Sequence, residues 1–426
     1  MTSDHFRIVE GAIHCEGVPL PAIAGAVGTP VFVYSAGAMR GQARILRAAL
    51  ASLDDPLIAY AVKANPNGAV MRTLADEGLG ADVVSGGEYR RARAAGIAAD
   101  KIVFSGVGKT AAEMALALEG GLCQFNLESL PEAEMLSQVA MALGLEAPVA
   151  FRVNPDVDAG SHAKISTGAA HNKFGIPIRD APAACARVAA LPGLELKGLA
   201  VHIGSQLTSL APLETAFARL GAMIGELRAQ GHEIRTADLG GGLGIRYDPS
   251  SPPPPGPLDY GAMVARVTRG WNVRLIFEPG RLIVGDAGLL LTEVIRVKEG
   301  PICPFVILDA AMNDLMRPSL YDAWHGIDAV APRGGRMVAD VVGPVCETGD
   351  SFATARDLDR VEAGDLMIIR TAGAYAATMG STYNSRPLPP EVLVDGDRWA
   401  VVRERRNVEA MIGDESIPLW LLPEAD

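Results

Sequence analysis

Between Gly28 and Gly285 short apolar runs alternate with amphipathic stretches, and this rhythm predicts the fold. Strand-like runs end at Ala61-Val62-Lys63, Asp82-Val83-Val84-Ser85, Val103-Phe104-Ser105, Phe125-Asn126-Leu127-Glu128, Phe151-Arg152-Val153-Asn154, Val201-His202-Ile203-Gly204, Ala237-Asp238-Leu239-Gly240 and Ile276-Phe277-Glu278. Helix-like segments lie between them at 68–77, 87–95, 110–119, 129–143 and 212–230. Most stop at a glycine suited to a left-handed cap: Gly78, Gly96, Gly120, Gly144 and Gly231. Strand–helix alternation repeated eight times is α/β in class and is the pattern of a (β/α)8, TIM-like barrel. A doubly wound open sheet shares that alternation, so the polar positions must choose. Lys63, Asp82, Ser85, Ser105, Asn126, Glu128, Arg152, His202, Gly240 and Glu278 all fall at the C-terminal ends of the predicted strands. Barrel enzymes keep their chemistry on that face.

After about residue 286 the rhythm changes. Leu289–Val297, Phe305–Asp309, Met337–Val342, Leu366–Arg370 and Val392–Val402 are short and strand-like, and Asp395-Gly396 offers a hairpin turn. The first 25 residues, with Ile8-Val9-Glu10-Gly11-Ala12-Ile13, read as a β-hairpin. The expected organisation is a barrel over 26–286 and an all-β domain built from 1–25 and 287–426. Ser250 to Pro257 reads as a stiff loop between strands seven and eight.

Composition narrows the function classes. A chain of 426 residues exceeds one ordinary core, and 49% hydrophobic with 21% charged residues describes a globular protein. A formal charge of −12 argues against nucleic acid or anionic lipid as partner. No apolar stretch is long enough to span a bilayer, and the N-terminal residues lack the layout of a secretory signal. Cys15, Cys123, Cys185, Cys303 and Cys346 show no CxxC spacing, which predicts neither disulfide framework nor metal site and fits a reducing cytoplasm.

Lys63 closes a run that reads as a buried strand, and a buried lysine needs a reason. Desolvation is expected to lower its pKa and free the lone pair for a Schiff base. Gly240-Gly241-Gly242-Leu243-Gly244 follows strand seven, where backbone N–H groups can converge on a phosphate. Glu278 closes strand eight and can hold a proton on a heteroaromatic nitrogen; His202 puts an imidazole at the mouth of strand six. An aldehyde, a phosphate, a ring nitrogen and a flat face are united in pyridoxal 5′-phosphate (PLP).

These motifs resemble the diaminopimelate decarboxylases, within the alanine-racemase-like fold class of PLP enzymes that also holds ornithine and arginine decarboxylases. The likeness runs over nearly the whole chain: Tyr60 to Asn65, Asp82 to Glu88, Ile165-Ser166-Thr167-Gly168 to Lys173-Phe174-Gly175, His202 to Gln206, the triple glycine, Glu278-Pro279-Gly280-Arg281, Arg317-Pro318-Ser319-Leu320-Tyr321, Gly343 to Glu347, Gly373-Ala374-Tyr375 and Tyr383 to Pro387. The resemblance implies that Lys63 bonds the cofactor aldehyde and His202 stacks on the ring. It implies that Asp82, Ser205, Gly240, Gly241, Gly242, Gly280, Arg281 and Tyr375 surround the cofactor and that Glu278 pairs with the ring nitrogen. Arg281, Arg317, Tyr321, Glu347 and Tyr375 are then expected to hold the substrate. The resemblance also implies that Cys346, the expected proton donor, and Glu347 reach the site from the partner subunit of a homodimer.

The implied reaction is decarboxylation of meso-2,6-diaminopimelate to L-lysine and CO2. Glu347 suits the distal ammonium, and Arg281, Arg317 and Tyr321 suit the distal carboxylate. Decarboxylation of a polyamine precursor (ornithine, arginine or carboxynorspermidine) is the alternative, and a non-catalytic PLP-binding homologue is a further one. Racemases of this fold class pair the ring nitrogen with arginine, so Glu278 argues against racemisation. Gly380 and Thr382, and the pair His171-Asn172, depart from the family's usual residues.

Overall fold

The computed structural model describes residues 5–158 and 173–421, so Ile165 to Gly168 and His171-Asn172 lie outside the described residues. The chain divides into two compact units: Ala36–Ala287 with Gly373–Thr378, and Met1–Ser35 with Gly288–Ala372 and Met379–Asp426.

The first unit is a closed parallel barrel. Its strands are β1 (Leu57–Ala61), β2 (Gly80–Val83), β3 (Ile102–Phe104), β4 (Gln124–Leu127), β5 (Ala147–Asn154), β6 (Leu194–Ala200), β7 (Thr236–Asp238) and β8 (Arg274–Phe277). Each pairs in parallel with the next, and β8 returns to β1 through Ile276↔Leu57 and Phe277↔Ile58. That closure decides between barrel and open sheet. Leu57, Ala59, Val103 and Ile276 pack together as part of its interior.

Helices 68–76, 86–94, 111–119, 130–143 and 211–229 match the amphipathic segments to within a residue or so. Four of them start at a side-chain cap: Asn67, Ser85, Thr110 and Ser129 each accept a backbone N–H of the first turn. Ser85, expected on the chemical face, is therefore a helix cap. One expected glycine cap moves by a residue. Gly121 takes the left-handed conformation, whereas Gly120 is right-handed and a Cβ there would meet the Tyr89 hydroxyl at 1.8 Å.

The second unit is mostly sheet. Its main sheet runs Ser351–Asp359, Arg336–Val342, Phe305–Leu308, Gly288–Lys298, Val31–Ser35, Glu391–Asp395 and Arg398–Arg403, with Leu366–Ile369 and Ile327–Ala329 branching from the 288–298 strand. Residues 6–19 form a small three-stranded sheet whose Phe6, Ile13 and Cys15 share a core with Val31, Leu289 and Val392. It also holds short helices, such as Leu20–Val27 and Arg317–Tyr321, so it is not purely β.

The boundaries differ from expectation at two points. Val31–Ser35, wholly buried, is a central strand of the sheet unit, antiparallel to 288–291 and parallel to 391–394. Residues 373–378 belong to the barrel unit, where Tyr375 N–H donates to Ala64 O at 2.8 Å. Among the described residues no helix is long and apolar enough to cross a membrane.

Candidate active site

The site grows from the strand ends. β1 stops at Ala61 and the chain tightens into a 3-10 turn, Val62–Ala64, which carries Lys63 off the strand. The Lys63 Nζ donates to Asp82 Oδ2 at 2.6 Å; Asp82 is fully buried on β2, while 38% of the Lys63 side chain stays exposed. Burial alone would lower the amine's pKa, but the Asp82 carboxylate, with Glu278 and Tyr375, outweighs it and holds the pKa above its ordinary value. The expected depression does not occur: in the structure Lys63 is an ammonium.

Lys63, Ser105, Asn126, His202, Asp238 and Glu278 line one cavity of about 380 Å³, within the range of small-molecule sites. The Glu278 carboxyl is buried and lies well above the usual carboxylate range, first through desolvation and then through the neighbouring charges of Asp238 and Asp82. Its Oε1 accepts from Ser105 Oγ at 3.1 Å and from Asn126 Nδ2 at 3.3 Å.

His202 is held neutral, well below its ordinary pKa, by desolvation and by the nearby Arg152 and Lys63 cations. Its Nδ1 accepts the Gly241 N–H at 3.2 Å, which leaves the ring proton on Nε2. The Gly240 N–H donates to Asp238 Oδ1 at 2.9 Å. Two of the three glycine N–H groups are therefore bound inside the protein rather than converging on an anion. The glycines are needed for another reason, close backbone approach. A Cβ on Gly241 would lie 2.2 Å from Glu278 O, and one on Gly242, at φ +110°, would lie 2.4 Å from Gly204 O.

Beside this turn a second polar group assembles. Arg281 Nη1 donates to the Tyr247 hydroxyl at 2.5 Å and Nη2 to Ser205 Oγ at 3.2 Å. The Arg281 guanidinium also stacks over the Tyr375 ring at 4.7 Å. Tyr375 sits at φ +55°, a conformation that costs a non-glycine residue roughly 1–3 kcal/mol and clusters at functional sites. Its hydroxyl lies 3.4 Å from where a Cβ on Gly280 would stand.

The barrel unit thus gathers Lys63, Asp82, His202, Ser205, Gly240 to Gly242, Glu278, Gly280, Arg281 and Tyr375. Arg317, Tyr321, Cys346 and Glu347 belong to the sheet unit. There Arg317 is buried with Nη1 2.7 Å from His325 Nε2, and the His325 Nδ1 meets Arg370 O at 2.8 Å. Cys346 and Glu347 are exposed, and the Cys346 N–H donates to Asn384 Oδ1 at 2.9 Å.

Arg152, which also lines the cavity, is tied to another strand-end residue. Arg152 and Glu128 form a buried ion pair at 2.8 Å, and Glu128 also accepts the Gly175 N–H. Lys109, which attracted no attention in the sequence, is more buried than Lys63 but is fully used by Gly106 O, Asn126 O and Glu132. Burial alone does not mark a reactive lysine; a cavity beside it does. Asp238, Tyr247 and His325 were also missed. Asp238 had a signal, a carboxylate inside an otherwise closed strand end.

The residues fit PLP. The Asp82 Oδ1 is buried without a hydrogen-bond partner, the glycine turn is stripped of side chains, and the Lys63 amine and the buried Glu278 carboxyl share the cavity. Fold and site together describe a barrel decarboxylase that uses pyridoxal. A family model, "Pyridoxal-dependent decarboxylase, pyridoxal binding domain", matches residues 41–285. The diaminopimelate decarboxylase of Zymomonas mobilis is 55% identical over 98% of this chain and 99% of its own length. That of Pseudomonas fluorescens is 49% identical over 99% and 100%. Among solved structures, the M. jannaschii diaminopimelate decarboxylase in co-complex with L-lysine superposes with a TM-score of 0.95 at 35% identity, covering 99% of this chain and 100% of that one. The chain belongs to the diaminopimelate decarboxylase family.

Proposed function

We propose that the protein is a PLP-dependent carboxy-lyase that converts meso-2,6-diaminopimelate to L-lysine and CO2, the last step of lysine biosynthesis. The observation that carries this reading is the convergence of Lys63 and Glu278 on one cavity, in a chain related over its full length to diaminopimelate decarboxylases.

When bound, the cofactor supplies an electron-poor ring that accepts the electron pair left as the Cα–carboxylate bond breaks. The protein's residues serve that event. Asp82 Oδ2, 2.6 Å from Lys63 Nζ, holds the amine at the cavity, and the amine can attack an aldehyde once it has lost its extra proton. Glu278 holds a proton for the ring nitrogen, and neutral His202 offers a flat face. Ser205, Gly242, Gly280, Arg281 and Tyr375 hold the phosphate end. Arg317, Tyr321 and Glu347 recognise the substrate's distal carboxylate and ammonium, and the Cys346 thiol returns a proton to Cα.

The working form is a homodimer in which Cys346 and Glu347 serve the neighbouring copy's site. Their exposure in the single chain supports this. The enzyme works in the cytoplasm, where all five cysteines, free in the structure, would stay reduced.

The test is to incubate the PLP-loaded protein separately with meso-diaminopimelate, L-ornithine, L-arginine and carboxynorspermidine, assaying CO2 and amine. Lysine from diaminopimelate alone is the expected result. Turnover of another substrate instead would overturn the specificity, and none from any would overturn catalysis.

A further inference from the structure

We propose that Asp238 is a positioning residue that stays ionised and keeps the proton of the Asp238–Glu278 pair on Glu278. The argument starts from a chain of side-chain hydrogen bonds inside the barrel. Thr236 Oγ1 donates to Gln124 Oε1 at 3.0 Å, and Gln124 Nε2 donates to Asn126 Oδ1 at 2.9 Å. The Asn126 carbonyl is therefore occupied, which orients its amide. Its Nδ2 must face the acids: it donates to Asp238 Oδ2 at 2.8 Å and lies 3.3 Å from Glu278 Oε1.

The two carboxyl groups are not equivalent. Asp238 receives an N–H on each oxygen, Asn126 Nδ2 on Oδ2 and the Gly240 N–H on Oδ1, and donors of that kind favour the ionised form. Glu278 shares the Asn126 donor at longer range and has besides it the Ser105 hydroxyl and a hydrogen bond with Asp238 itself, in which the proton lies on Glu278. Two buried carboxyl groups sharing one amide do not both ionise, so the less well solvated one keeps its proton.

Lys63 favours ionisation of Glu278, Asp82 on β2 opposes it, His202 is neutral, and the Tyr260 hydroxyl from the 257–267 helix is buried near Asp238. The titration tendencies agree: burial lifts Asp238 only to about 6, with Asn126 and Gly240 holding it down, while Glu278 rises well beyond its usual range.

The consequence for function rests on the reading of Glu278 as the ring-nitrogen partner. Glu278 then arrives loaded with the proton the ring needs, and the Asp238 charge keeps that proton in the site after transfer.

Isotope-edited infrared spectroscopy of the cofactor-free, full-length protein at pH 8 tests the proton's position independently of any reaction. A carboxylic-acid band that shifts with 13C-glutamate and vanishes in Glu278→Gln is expected. Absence of that band, or an acid band removed by 13C-aspartate labelling together with Asp238→Asn, overturns the proposal. The second arm uses 15N NMR of ring-labelled PLP bound to the enzyme. Asp238→Asn should cut the ring nitrogen's proton affinity at least tenfold, a midpoint about one pH unit lower. The charge-swapped Asn126→Asp/Asp238→Asn protein should restore it. An unchanged midpoint in Asp238→Asn overturns the role of its charge. If that variant does not fold, the wild-type infrared result decides. Absence of decarboxylase activity with the glutamic-acid band present would sink the functional reading and leave the proton assignment standing.

Discussion

The Lys63 ammonium sits 2.6 Å from the Asp82 carboxylate, and only the lysine reaches the cavity: Asp82 is fully buried. The pair holds the amine in its protonated form. Lys63→Ala should abolish both the bound PLP chromophore and turnover; residual normal turnover would rule out the covalent role. It also strands a buried carboxylate whose other oxygen has no partner. Because Lys63 is partly exposed, solvent screens the loss, and about 1–2 kcal/mol of the cofactor-free protein's stability should go, recovered by Asp82→Asn in the same chain. Denaturant melts of the single and double variants check this.

Glu278→Gln keeps the shape but removes the transferable proton. The kcat should fall about 100-fold or more, as for loss of an acid–base group, with a smaller change in cofactor affinity. Cofactor titration alongside steady-state kinetics separates the two. Equal losses in both would mean that Glu278 only anchors the ring.

Asp314 offers a pH test within the sheet unit. It is buried in the sheet unit with Oδ2 accepting the Ala311 N–H at 2.8 Å, and desolvation raises its pKa to about 7. The folded value lies above the unfolded one, roughly 3.9, so the folded state binds more protons between them and this contribution to stability is lost as pH rises toward 7. Asp314→Asn keeps the acceptor and removes the charge. It should flatten the fall between about pH 4 and 7 and gain roughly 2–4 kcal/mol above pH 7. Melting temperatures across that window would show it; parallel curves for the two proteins would refute it.

Cys346→Ala should retain the chromophore, since no cofactor contact is ascribed to it, while product formation slows. Glu347→Asp should relax discrimination against shorter diamino acids in the substrate panel. Unchanged rates and preferences would return both residues to ordinary surface positions.

His325, 1% exposed, braces Arg317 through Nε2 and is itself held by Arg370 O through Nδ1. Removing this brace in His325→Leu should raise KM for diaminopimelate about tenfold with a smaller change in kcat, as for a positioning contact. A proportional fall in kcat with KM constant would argue against a binding role for Arg317.

By itself the sequence determined the repeating α/β rhythm, the eight strand ends and the polar residues they carry. Those follow from local periodicity and from glycine and capping preferences, which neighbours in the chain decide. It also marked Lys63 and Glu278, because charged groups at the ends of buried strands are costly enough to stand out. Tertiary structure decided what depends on partners far along the chain. Val31–Ser35 reads as a strand of unknown allegiance until 288–291 and 391–394 bind its two edges. The Lys63 pKa turned upward because Asp82, 19 positions away, supplies more stabilisation than burial removes. The glycine turn proved to be a close-packed crossing whose N–H groups serve Asp238 and His202. Lys109, a cation more deeply buried than Lys63, is structural because three acceptors surround it. Periodicity sets which face a residue occupies; the charges that face it across the barrel set what it can do.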